Sequence, residues 1–392
     1  MIKREITSKI LDFLKIYPVV SLTGPRQSGK TTLLRAALPD YHYYSLEDPE
    51  IRELAIEDPR KFLKFSDKGM IIDEAQRVPE LFSYIQGIVD NTQKDGMYVL
   101  SGSQNFLLAE NISQSLAGRV AVLKLLPFSM KELVNYNIQF DDYENLIYKG
   151  FFPRLYDKEI EPEKYYPFYV QTYIERDVKF IRNISSQSAF IRFLKLLAGR
   201  CGQVLNISSL ASDCGISAIT ANAWISILEA SYIIFLLKPH YKNFNKRLIK
   251  SPKVYFSDTG LLCYLLNIGS PDQLSTHYAI GQIFENFIIN EFVKYSYNQV
   301  IDPSLYFWME KHKKEIDLLI ENIDSLVPIE IKSAKTYNTR LISSLEYWNN
   351  LTGNSPENSF LIYGGDKNLP VSGYNIISWR NISWLLSGLY TK

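Results

Sequence analysis

The sequence predicts an α/β fold in which a five-stranded parallel sheet carries helices on both faces, followed by two smaller domains. Short apolar segments alternate with helical stretches over the first 130 residues, and this alternation is typical of such sheets. A chain of 392 residues is also too long for one compact core. With 46% hydrophobic and 22% charged residues, its composition is that of a folded globular protein. We therefore expect several domains, with the parallel sheet in the first.

Five segments of the first domain carry the apolar and β-branched residues expected of strands. They cover 17–23, 41–46, 69–73, 97–101 and 119–125. A helical and aromatic stretch, a second group of helices and a final set of strands follow. These changes in pattern predict a first domain over 1–130, a helical connector over 131–185, a helical domain ending in a hairpin over 186–270 and a second α/β domain over 271–392.

The composition argues against several classes of protein. No apolar run approaches the roughly 20 residues needed to span a bilayer, so no association with a membrane is expected. The first residues lack the apolar region of a signal peptide, which predicts a cytoplasmic protein. Cys201, Cys214 and Cys263 are widely spaced in apolar stretches, so neither a disulfide framework nor a zinc site is predicted. We expect three buried thiols.

Residues 24–31 match the pattern G-x-x-x-x-G-K-[ST] of a phosphate-binding loop (P-loop), between a predicted strand and a predicted helix. Backbone N–H groups of such a loop and the positive end of the helix surround phosphate oxygens, and the glycines allow close approach. Lys30 is predicted to reach the β- and γ-phosphates, and Thr31 to bind Mg²⁺. The residues expected to contact a nucleotide are Gly24, Pro25, Arg26, Gln27, Ser28, Gly29, Lys30, Thr31 and Thr32.

Two adjacent carboxylates, Asp73 and Glu74, stand at the end of a predicted apolar strand. Asp73 is predicted to hold Mg²⁺ through water, and Glu74 to orient and deprotonate the attacking water. This division of roles suits hydrolysis better than transfer to an acceptor. Because the sequence has no N-K-x-D segment for recognising guanine, we expect a P-loop NTPase that uses ATP and Mg²⁺.

Two further positions are candidates for contact with the γ-phosphate. Ser103, with Gln104 beside it, follows the strand at 97–101 and either contacts the phosphate or caps the next helix. Arg119 is either an arginine finger that completes the site of a neighbouring subunit, in a homo-oligomer, or a structural residue at the start of a strand.

Between 186 and 270, two helices, a turn at Gly215 and a third helix precede a predicted hairpin, and together they predict a winged helix-turn-helix. Ser208 and Ser217 are the expected N-caps of the second and third helices. The predicted recognition helix, 217–229, has no Lys or Arg, which disfavours direct readout of bases.

A basic stretch, 238–253, has six Lys or Arg residues, His240 and no acidic residue. It either contacts DNA phosphates, through Lys246, Arg247 and Lys250, or forms a solvated hairpin. DNA bound without regard to its sequence is therefore the expected macromolecular partner.

Several segments resemble a prokaryotic family of AAA+-type ATPases with a C-terminal domain of unknown function. They are 22–34, 72–82, 100–103, 116–119 and 126–129 in the first domain, and 173–178, 253–261 and 281–287 beyond it. The resemblance implies an ATPase core with an additional strand and a catalytic glutamate, a winged helix, and a terminal domain similar to the restriction-endonuclease-like PD-(D/E)XK nucleases. Arg119 fits the Ala-Gly-Arg of the family, whereas Gln104 stands at a position that varies. The resemblance implies no substrate.

The predicted terminal domain has the order of acidic residues and lysine that metal-dependent nucleases use. Glu285 lies on a predicted helix, Asp317 on a strand, and Glu330 and Lys332 on the next strand. Alternate residues of a strand share a face, so Glu330 and Lys332 point toward Asp317. Asp317 and Glu330 are the expected Mg²⁺ ligands, and Lys332 is expected to orient the nucleophilic water. Ordinary charges on an amphipathic sheet are the alternative.

Two functions follow from these observations. One is an ATP-driven machine that acts on DNA through the winged-helix and nuclease-like domains. The other is an ATP-switched interaction protein in which the nuclease-like domain has no catalytic activity and serves as a binding module.

Overall fold

The computed structural model describes residues 2–64, 68–102, 112, 115–174, 187–240, 250–310, 314–322, 325–371 and 373–390. Its first sheet has five parallel strands in the order β2-β3-β4-β1-β5. The strands are β1 (Val19–Thr23), β2 (His42–Ser45), β3 (Met70–Asp73), β4 (Tyr98–Gly102) and β5 (Val120–Lys124). The predicted five-stranded parallel sheet is confirmed, and each strand end lies within two residues of its prediction.

Helices cover both faces of this sheet. They are α1 (Thr7–Phe13), α2 (Lys30–Ala37), α3 (Pro49–Glu57), α4 (Pro59–Phe62) and α5 (Glu80–Thr92). Because alternate strand residues point to opposite faces, Val19, Ile72 and Leu100 pack with α3, α4 and α5. Val20 and Val99 pack on the other face with α1 and α2.

Three strands of the sheet end at one edge and determine where the predicted nucleotide site lies. β4 lies between β1 and β3, and the register pairs Ser101 of β4 with Leu22 on one side and Asp73 on the other. The loop that follows β1 therefore lies beside the residues that follow β3, as the carboxyl ends of parallel strands do.

Further helices lead from the first sheet to the second. They are α6 (Met130–Asn135), α7 (Tyr143–Lys149), α8 (Pro153–Asp157), α9 (Pro162–Tyr169), α10 (Gln187–Ala198), α11 (Ile207–Cys214) and α12 (Ala218–Ala230), with a π-helical turn at Val170–Ile174. Ser217 caps α12, as predicted. The prediction of Ser208 as a cap is wrong, because α11 begins before it and Asn206 accepts the capping hydrogen bond from Ser209 N.

The second sheet has eight strands in the order β12-β13-β11-β10-β9-β8-β6-β7. The strands are β6 (Ile234–Pro239), β7 (Lys253–Phe256), β8 (Leu305–Met309), β9 (Glu315–Glu321), β10 (Leu326–Lys332), β11 (Phe360–Tyr363), β12 (Leu369–Val371) and β13 (Tyr374–Ser378). The accompanying helices are α13 (Thr259–Leu265), α14 (Pro271–Ser275), α15 (Ile280–Gln299), α16 (Ser343–Thr352) and α17 (Ile382–Tyr390). Short 3₁₀ helices cover Ala75–Arg77, Thr339–Ile342, Pro356–Asn358 and Trp379–Asn381.

The hairpin expected after α12 is continuous with this second sheet. β6 pairs with β7 in antiparallel fashion and with β8 in parallel, where Lys238 lies opposite Tyr306. One hydrophobic cluster contains Leu133, Trp224 and Phe287, which come from three of the predicted units. These parts of the chain therefore share a core. The predicted boundaries after residue 130 stay predictions.

Helix α15 runs through the middle of this half and places one acidic side chain beside β7. Asn286 accepts a hydrogen bond from Phe256 N at 2.7 Å and donates one to Phe256 O at 3.0 Å. This two-way contact aligns Glu285, the preceding residue, with Lys253 at the start of β7.

Composition led to two expectations, one about the three cysteines and one about helices that could span a membrane. Cys201, Cys214 and Cys263 are buried free thiols, as predicted. Among the described helices, none is both long and apolar enough to cross a membrane.

Candidate functional site

Two glycines give the loop after β1 its shape. Gly24 has φ of 152° and Gly29 has φ of 92°, backbone conformations that favour glycine. A Cβ atom on Gly24 would lie 2.1 Å from the carbonyl oxygen of Leu125, so no other residue fits there without movement of the backbone. The two positions that the P-loop pattern fixes as glycine are thus required by local geometry.

The start of helix α2 is open to an anion. Gly29 is its N-cap, and no side chain caps the first turn. The buried Oγ of Ser28 has no hydrogen-bond partner among the described residues. Uncapped backbone N–H groups and the positive end of a helix bind phosphate, so this cradle fits the triphosphate that the sequence predicts. Thr32 is exposed in the same first turn.

Lys30 lies inside the loop and is only 7% exposed. Its Nζ donates hydrogen bonds to the carbonyl oxygens of Gly24, at 2.8 Å, and Pro25, at 2.9 Å. Burial lowers the pKa of Lys30 to about 8, although the charges of Glu74 and Asp73 raise it in part. The ammonium group is therefore held by neutral carbonyl oxygens and can exchange them for phosphate oxygens.

Asp73 accepts hydrogen bonds at both carboxylate oxygens. Oδ2 accepts from Thr31 Oγ1 and Tyr43 OH, each at 2.8 Å, and Oδ1 accepts from Ser101 Oγ at 2.5 Å and from Glu74 N at 3.1 Å. The hydroxyl of Thr31 and the carboxylate of Asp73 are adjacent hard oxygen donors, which fit Mg²⁺. Sequence reasoning missed Ser101 and Tyr43, although the register of β3 and β4 places Ser101 opposite Asp73.

Glu74 has an unusual backbone conformation and a half-buried side chain. Its φ is 54°, in the left-handed region, which turns the carboxylate away from the strand direction. Gln76 Nε2 donates a hydrogen bond to Glu74 Oε2 at 2.5 Å. Burial raises the pKa of Glu74, while the charge of Lys30 lowers it. A carboxylate with a raised pKa is a better acceptor for a proton from water.

Residues from outside the first sheet contact the loop. Tyr165 OH donates to Gln27 Oε1 at 2.7 Å, and the hydroxyls of Thr23 and Tyr232 share a hydrogen bond of 2.7 Å. These contacts connect the loop to α9 and to the residues just before β6. Arg4 adds a third connection.

Arg4 links three distant segments around the loop. Its guanidinium donates to Ser28 O at 2.8 Å, to Leu126 O at 2.6 Å and to Glu132 Oε1 at 3.0 Å. Arg4, Tyr165 and Tyr232 do not belong to the loop pattern. No local sequence signal identifies them.

Ser103 and Gln104 lie outside the described residues, whereas Arg119 is well described. Arg119 precedes β5, whose first residue pairs with Val19 at the start of β1, while the loop follows Thr23 at the other end. Five residues of strand cover about 16 Å, so Arg119 lies at the opposite edge of the sheet from its own loop. Its side chain forms a bidentate ion pair with Asp90, at 2.5 and 3.0 Å.

A second cluster of charges lies between α15, β9 and β10. Lys332 Nζ is 3.1 Å from Asp317 Oδ2 and 2.6 Å from Glu330 Oε1. Carboxylate oxygens of Glu285, Glu315 and Asp317 lie within 4.8 Å of one another. The structure thus brings together the four residues predicted from sequence and adds Glu315.

Lys253 of β7 was not predicted as part of this cluster. It is 2% exposed, its Nζ lies 2.9 Å from Glu285 Oε1, and it also forms an ion pair with Glu315. Tyr255 OH donates a hydrogen bond to Glu285. Burial lowers the pKa of Lys253, but Glu285 and Glu315 raise it further, so the ammonium form is favoured. Glu315 alternates with Asp317 along β9, which is a signal that sequence reasoning could have used.

The carboxylates of this cluster outnumber its lysines by four to two. Burial raises the pKa of Glu285 to about 7 and that of Glu330 to about 8. Glu330 Oε2 is buried and accepts no hydrogen bond from the described residues. Asp317 and Glu330 have the hard oxygen donors that a divalent cation takes, but Lys332 pairs with both of them, and Lys253 supplies positive charge on the Glu285 and Glu315 side.

The basic stretch at 238–253 differs from its prediction as a continuous solvated or DNA-binding surface. His240 is 4% exposed and lies near Glu321, and Lys253 is buried in the acidic cluster. Lys253 begins β7, and His240 directly follows β6, where its backbone N–H donates to Phe307 O of β8. Lys246 and Arg247 lie outside the described residues, and Lys250 is exposed.

Three family models match the chain. Residues 17–134 match the AAA domain, 140–272 match a domain of unknown function (DUF8612) and 280–382 match a second domain of unknown function (DUF4143). The first match, together with the five-stranded parallel sheet and the P-loop, confirms an AAA-type P-loop ATPase domain at the N-terminal end. The other two assign no activity to the remainder.

Relatives of this chain cover most of its length. An uncharacterised protein of Mycobacterium tuberculosis is 28% identical over 340 residues, which are 85% of this chain and 74% of that protein. An uncharacterised protein of Methanocaldococcus jannaschii is 24% identical over 353 residues, 82% of this chain and 75% of that protein.

Two solved structures are also similar. The Walker-type ATPase of Pyrococcus abyssi has a TM-score of 0.46 and 15% identity, and the match covers 68% of this chain and 96% of that one. The Holliday junction branch migration motor of Thermotoga maritima has a TM-score of 0.30 and 16% identity, with 60% and 89% covered. Scores this low carry no information about what this chain binds.

Proposed function

We propose that this chain hydrolyses ATP in the presence of Mg²⁺ and couples hydrolysis to a DNA-associated task. The proposal rests on one observation, which is that one edge of the parallel sheet brings together the side chains of Lys30, Thr31, Asp73 and Glu74. Each side chain has the chemistry that one part of phosphoanhydride hydrolysis needs.

The roles follow from the contacts of each group. Lys30 exchanges its two carbonyl partners for β- and γ-phosphate oxygens, and the uncapped start of α2 binds the phosphates through N–H groups. Thr31 and Asp73 would hold Mg²⁺, which neutralises charge on the β- and γ-phosphates when it is bound. Glu74, oriented by Gln76, accepts a proton as the water oxygen bonds to the γ-phosphorus. The bond from phosphorus to the bridging oxygen breaks, giving ADP and inorganic phosphate.

Contacts around the loop support coupling to the rest of the chain. Gln27 and Thr23 are hydrogen-bonded to Tyr165 and Tyr232, which belong to the helical part of the chain. Tyr232 lies two residues before β6, which is part of the second sheet. A change in the loop on hydrolysis therefore has a short path to the sheet that carries the acidic cluster.

Two substitutions test the ATPase proposal. Lys30→Ala should abolish nucleotide binding, because the loop loses the buried ammonium group predicted to reach the β- and γ-phosphates. Glu74→Gln should bind ATP normally and reduce turnover by about 10²- to 10⁴-fold. Binding of a fluorescent ATP analogue and release of phosphate with and without Mg²⁺ measure the two steps. Wild-type turnover in Glu74→Gln would show that this residue is not the base.

The acidic cluster favours a second candidate, an ATP-switched interaction protein whose nuclease-like domain is inactive. The ammonium group of Lys253 lies among Glu285 and Glu315, where a nuclease would gain from an open cation position. The task of the second sheet would then be binding.

Cleavage assays separate the two candidates. Wild type and Asp317→Ala are incubated with linear, supercoiled and single-stranded DNA, Mg²⁺ or Mn²⁺, and with or without ATP. Cleavage that the substitution removes supports a nuclease built on Asp317 and Glu330. No cleavage under any condition, with ATP turnover intact, supports the interaction protein.

A further inference from the structure

A groove of about 840 Å³ opens beside helix α10, and none of its described lining residues belongs to either charged site described above. Its walls are α10, the turn after it and the end of α13. The lining residues are Ser188, Ile191, Arg192, Lys195, Leu196, Gly199, Arg200, Gln203, Leu265, Leu266, Asn267 and Tyr278. This volume suits a ligand of a few nucleotides or smaller.

The polar lining of the groove is basic. Arg192, Lys195 and Arg200 are its charged residues, and no Asp or Glu is among the described residues that line it. Arg200 is held in place by an ion pair with Asp213 and by donation to Leu196 O at 3.0 Å. Arg192 and Lys195 are exposed, and no described carboxylate forms an ion pair with either of them. The groove thus has two cations available to an anionic ligand.

Helical geometry lines these two cations up. Residues three apart on a helix lie about 5–6 Å from each other on the same face, so Arg192 and Lys195 form a short row along α10. The opposite face of α10 buries Phe193, Leu194 and Leu197, which fixes the direction of the row. A row of cations along one wall fits a chain of phosphates better than a single anion.

An exposed aromatic ring stands at the rim of the groove. Tyr278 is 80% exposed, far more than most large side chains of this protein, and its ring contacts His277 at a centroid distance of 4.5 Å. The amides of Gln203 and Asn267 lie in the same groove. Proteins that bind single strands combine cations for the backbone with aromatic rings on which bases stack.

Helix α12, which the sequence predicts as the recognition helix, offers fewer cations to phosphate than the groove does. Helix α12 contains no Lys or Arg and exposes Ile219, which is 83% exposed. Two members of the basic stretch, His240 and Lys253, are buried. The exposed cations of the helical part that are available to phosphate therefore include Arg192 and Lys195 of α10.

We infer that the groove beside α10 is a binding site for single-stranded nucleic acid, with phosphates on Arg192 and Lys195 and a base stacked on Tyr278. This inference rests on the proposed DNA-associated function and specifies where and in what form the nucleic acid binds. An unpaired base is required, because a base inside a duplex cannot stack on a side chain.

Fluorescence anisotropy with a labelled oligo-dT of about 15 nucleotides, in a series of salt concentrations, tests the site. The double variant Arg192→Gln/Lys195→Gln should bind more weakly and lower the salt slope by about 1.4, since each phosphate contact contributes about 0.7 for single strands. Tyr278→Ala should weaken binding by about 5- to 150-fold, and Tyr278→Phe should bind like wild type.

The chain offers a matched control for charge. Lys61 and Lys64 are also exposed and three residues apart, on the N-terminal domain, so Lys61→Gln/Lys64→Gln removes the same charge elsewhere. An equal loss in both double variants would overturn the site and leave only non-specific attraction. Oligo-U is expected to bind as oligo-dT does, whereas a blunt duplex should compete poorly. A duplex that binds as tightly as the single strand would overturn the inference.

ATP turnover without nucleic acid, measured on the same variants, reports separately on the P-loop. Unchanged turnover with lost binding supports both the groove and the ATPase proposal. If the groove variants bind nucleic acid as tightly as the wild type does, the proposed site in the groove is overturned and the other proposals are not. No binding by the wild-type protein at low salt would overturn the groove and the DNA-associated task together, and turnover would still decide the ATPase.

Discussion

At the P-loop, Lys30 donates to two backbone carbonyl groups, whereas in the second cluster Lys253 and Lys332 each pair with two carboxylates. Burial acts on both sites with opposite results: it lowers the pKa of Lys30 to about 8 and raises that of Glu330 to about 8. A buried lysine held by neutral groups keeps its charge for a ligand. A lysine held by carboxylates is largely neutralised within the fold. Replacing such a lysine is therefore expected to lower the stability of the fold in the first place.

The two sites also differ in whether one chain supplies all of their predicted residues. The second cluster has both of its lysines from the same chain, while Arg119 lies at the opposite edge of the sheet from the P-loop of its own chain. If Arg119 serves a neighbouring subunit, the nucleotide site is completed only on assembly. The prediction with the largest expected effect tests this difference.

Arg119→Ala is expected to reduce ATP turnover by about 10³-fold or more, because an arginine finger neutralises charge in the transition state. Specific activity should rise with protein concentration in the wild type. Mixing Arg119→Ala with Lys30→Ala subunits should restore part of the turnover, since some interfaces then combine an intact loop with an intact Arg119.

Asp90→Ala is the matched control for this prediction, because it breaks the ion pair with Arg119 and leaves the arginine in place. A finger predicts that Asp90→Ala retains most turnover. Equal losses in the two variants, with no recovery on mixing of verified mixed oligomers, would mean that the pair is structural.

The next effect concerns stability. Lys253→Met is expected to lower the free energy of unfolding by about 3–5 kcal/mol, because buried Glu285 and Glu315 lose their cation. Mn²⁺ should recover part of the loss by supplying positive charge to the carboxylates. Urea unfolding with and without Mn²⁺ measures both quantities.

Lys294→Met is the control for the cation effect. Lys294 is as buried as Lys253 and lies 2.9 Å from Glu291, but Glu291 is not part of the acidic cluster. Its variant should lose stability without recovery by Mn²⁺. Equal recovery in both variants would show that Mn²⁺ acts elsewhere.

The contrast between the sites also explains what the sequence could predict. Residues 24–31 are contiguous, and the loop geometry requires glycine at positions 24 and 29, so the pattern itself encodes the cradle. Asp73 and Glu74 follow from the end of a buried strand. The five strands could be predicted because their apolar segments are short, regular and bounded by turns.

Residues that act through distant contacts could not be predicted in this way. Arg4 joins segments more than a hundred residues apart, and Tyr165 reaches Gln27 from another helix. Lys253 belongs by sequence to a basic stretch for which DNA contact and a solvated hairpin were both open, but β7 pairs with β6 and its lysine is buried beside Glu285 and Glu315. Only the three-dimensional pairing of strands distinguishes a buried lysine from an exposed one.

The smallest expected effect is the pH dependence of the P-loop. Burial lowers the pKa of Lys30 to about 8 from 10.5, so the free protein loses this charge as the pH rises through about 8. ATP binding requires the ammonium form, and its affinity should therefore fall above pH 8, by at most tenfold per pH unit. Between about pH 8 and 10.5 the Lys30 side chain binds more protons in the unfolded chain than in the folded one, so its contribution to the free energy of unfolding rises in the same window.

Binding and the Lys30 contribution to stability should thus change in opposite directions as the pH rises. The buried thiols of Cys201 and Cys263, whose pKa burial raises, lower stability over the same range, so the Lys30 contribution is read as the difference between wild type and Lys30→Met. Titration of a fluorescent ATP analogue, from neutral pH to about pH 9.5, and urea unfolding at the same values measure the two trends. Lys30→Met should not bind the nucleotide, and its free energy of unfolding should lack the Lys30 contribution over this range, because it has no proton to lose. If the free energy of unfolding of the wild type, relative to that of Lys30→Met, did not rise with pH, Lys30 would not be the group that loses its proton. The contrast between a lysine held by neutral carbonyls and lysines paired with carboxylates would then fail.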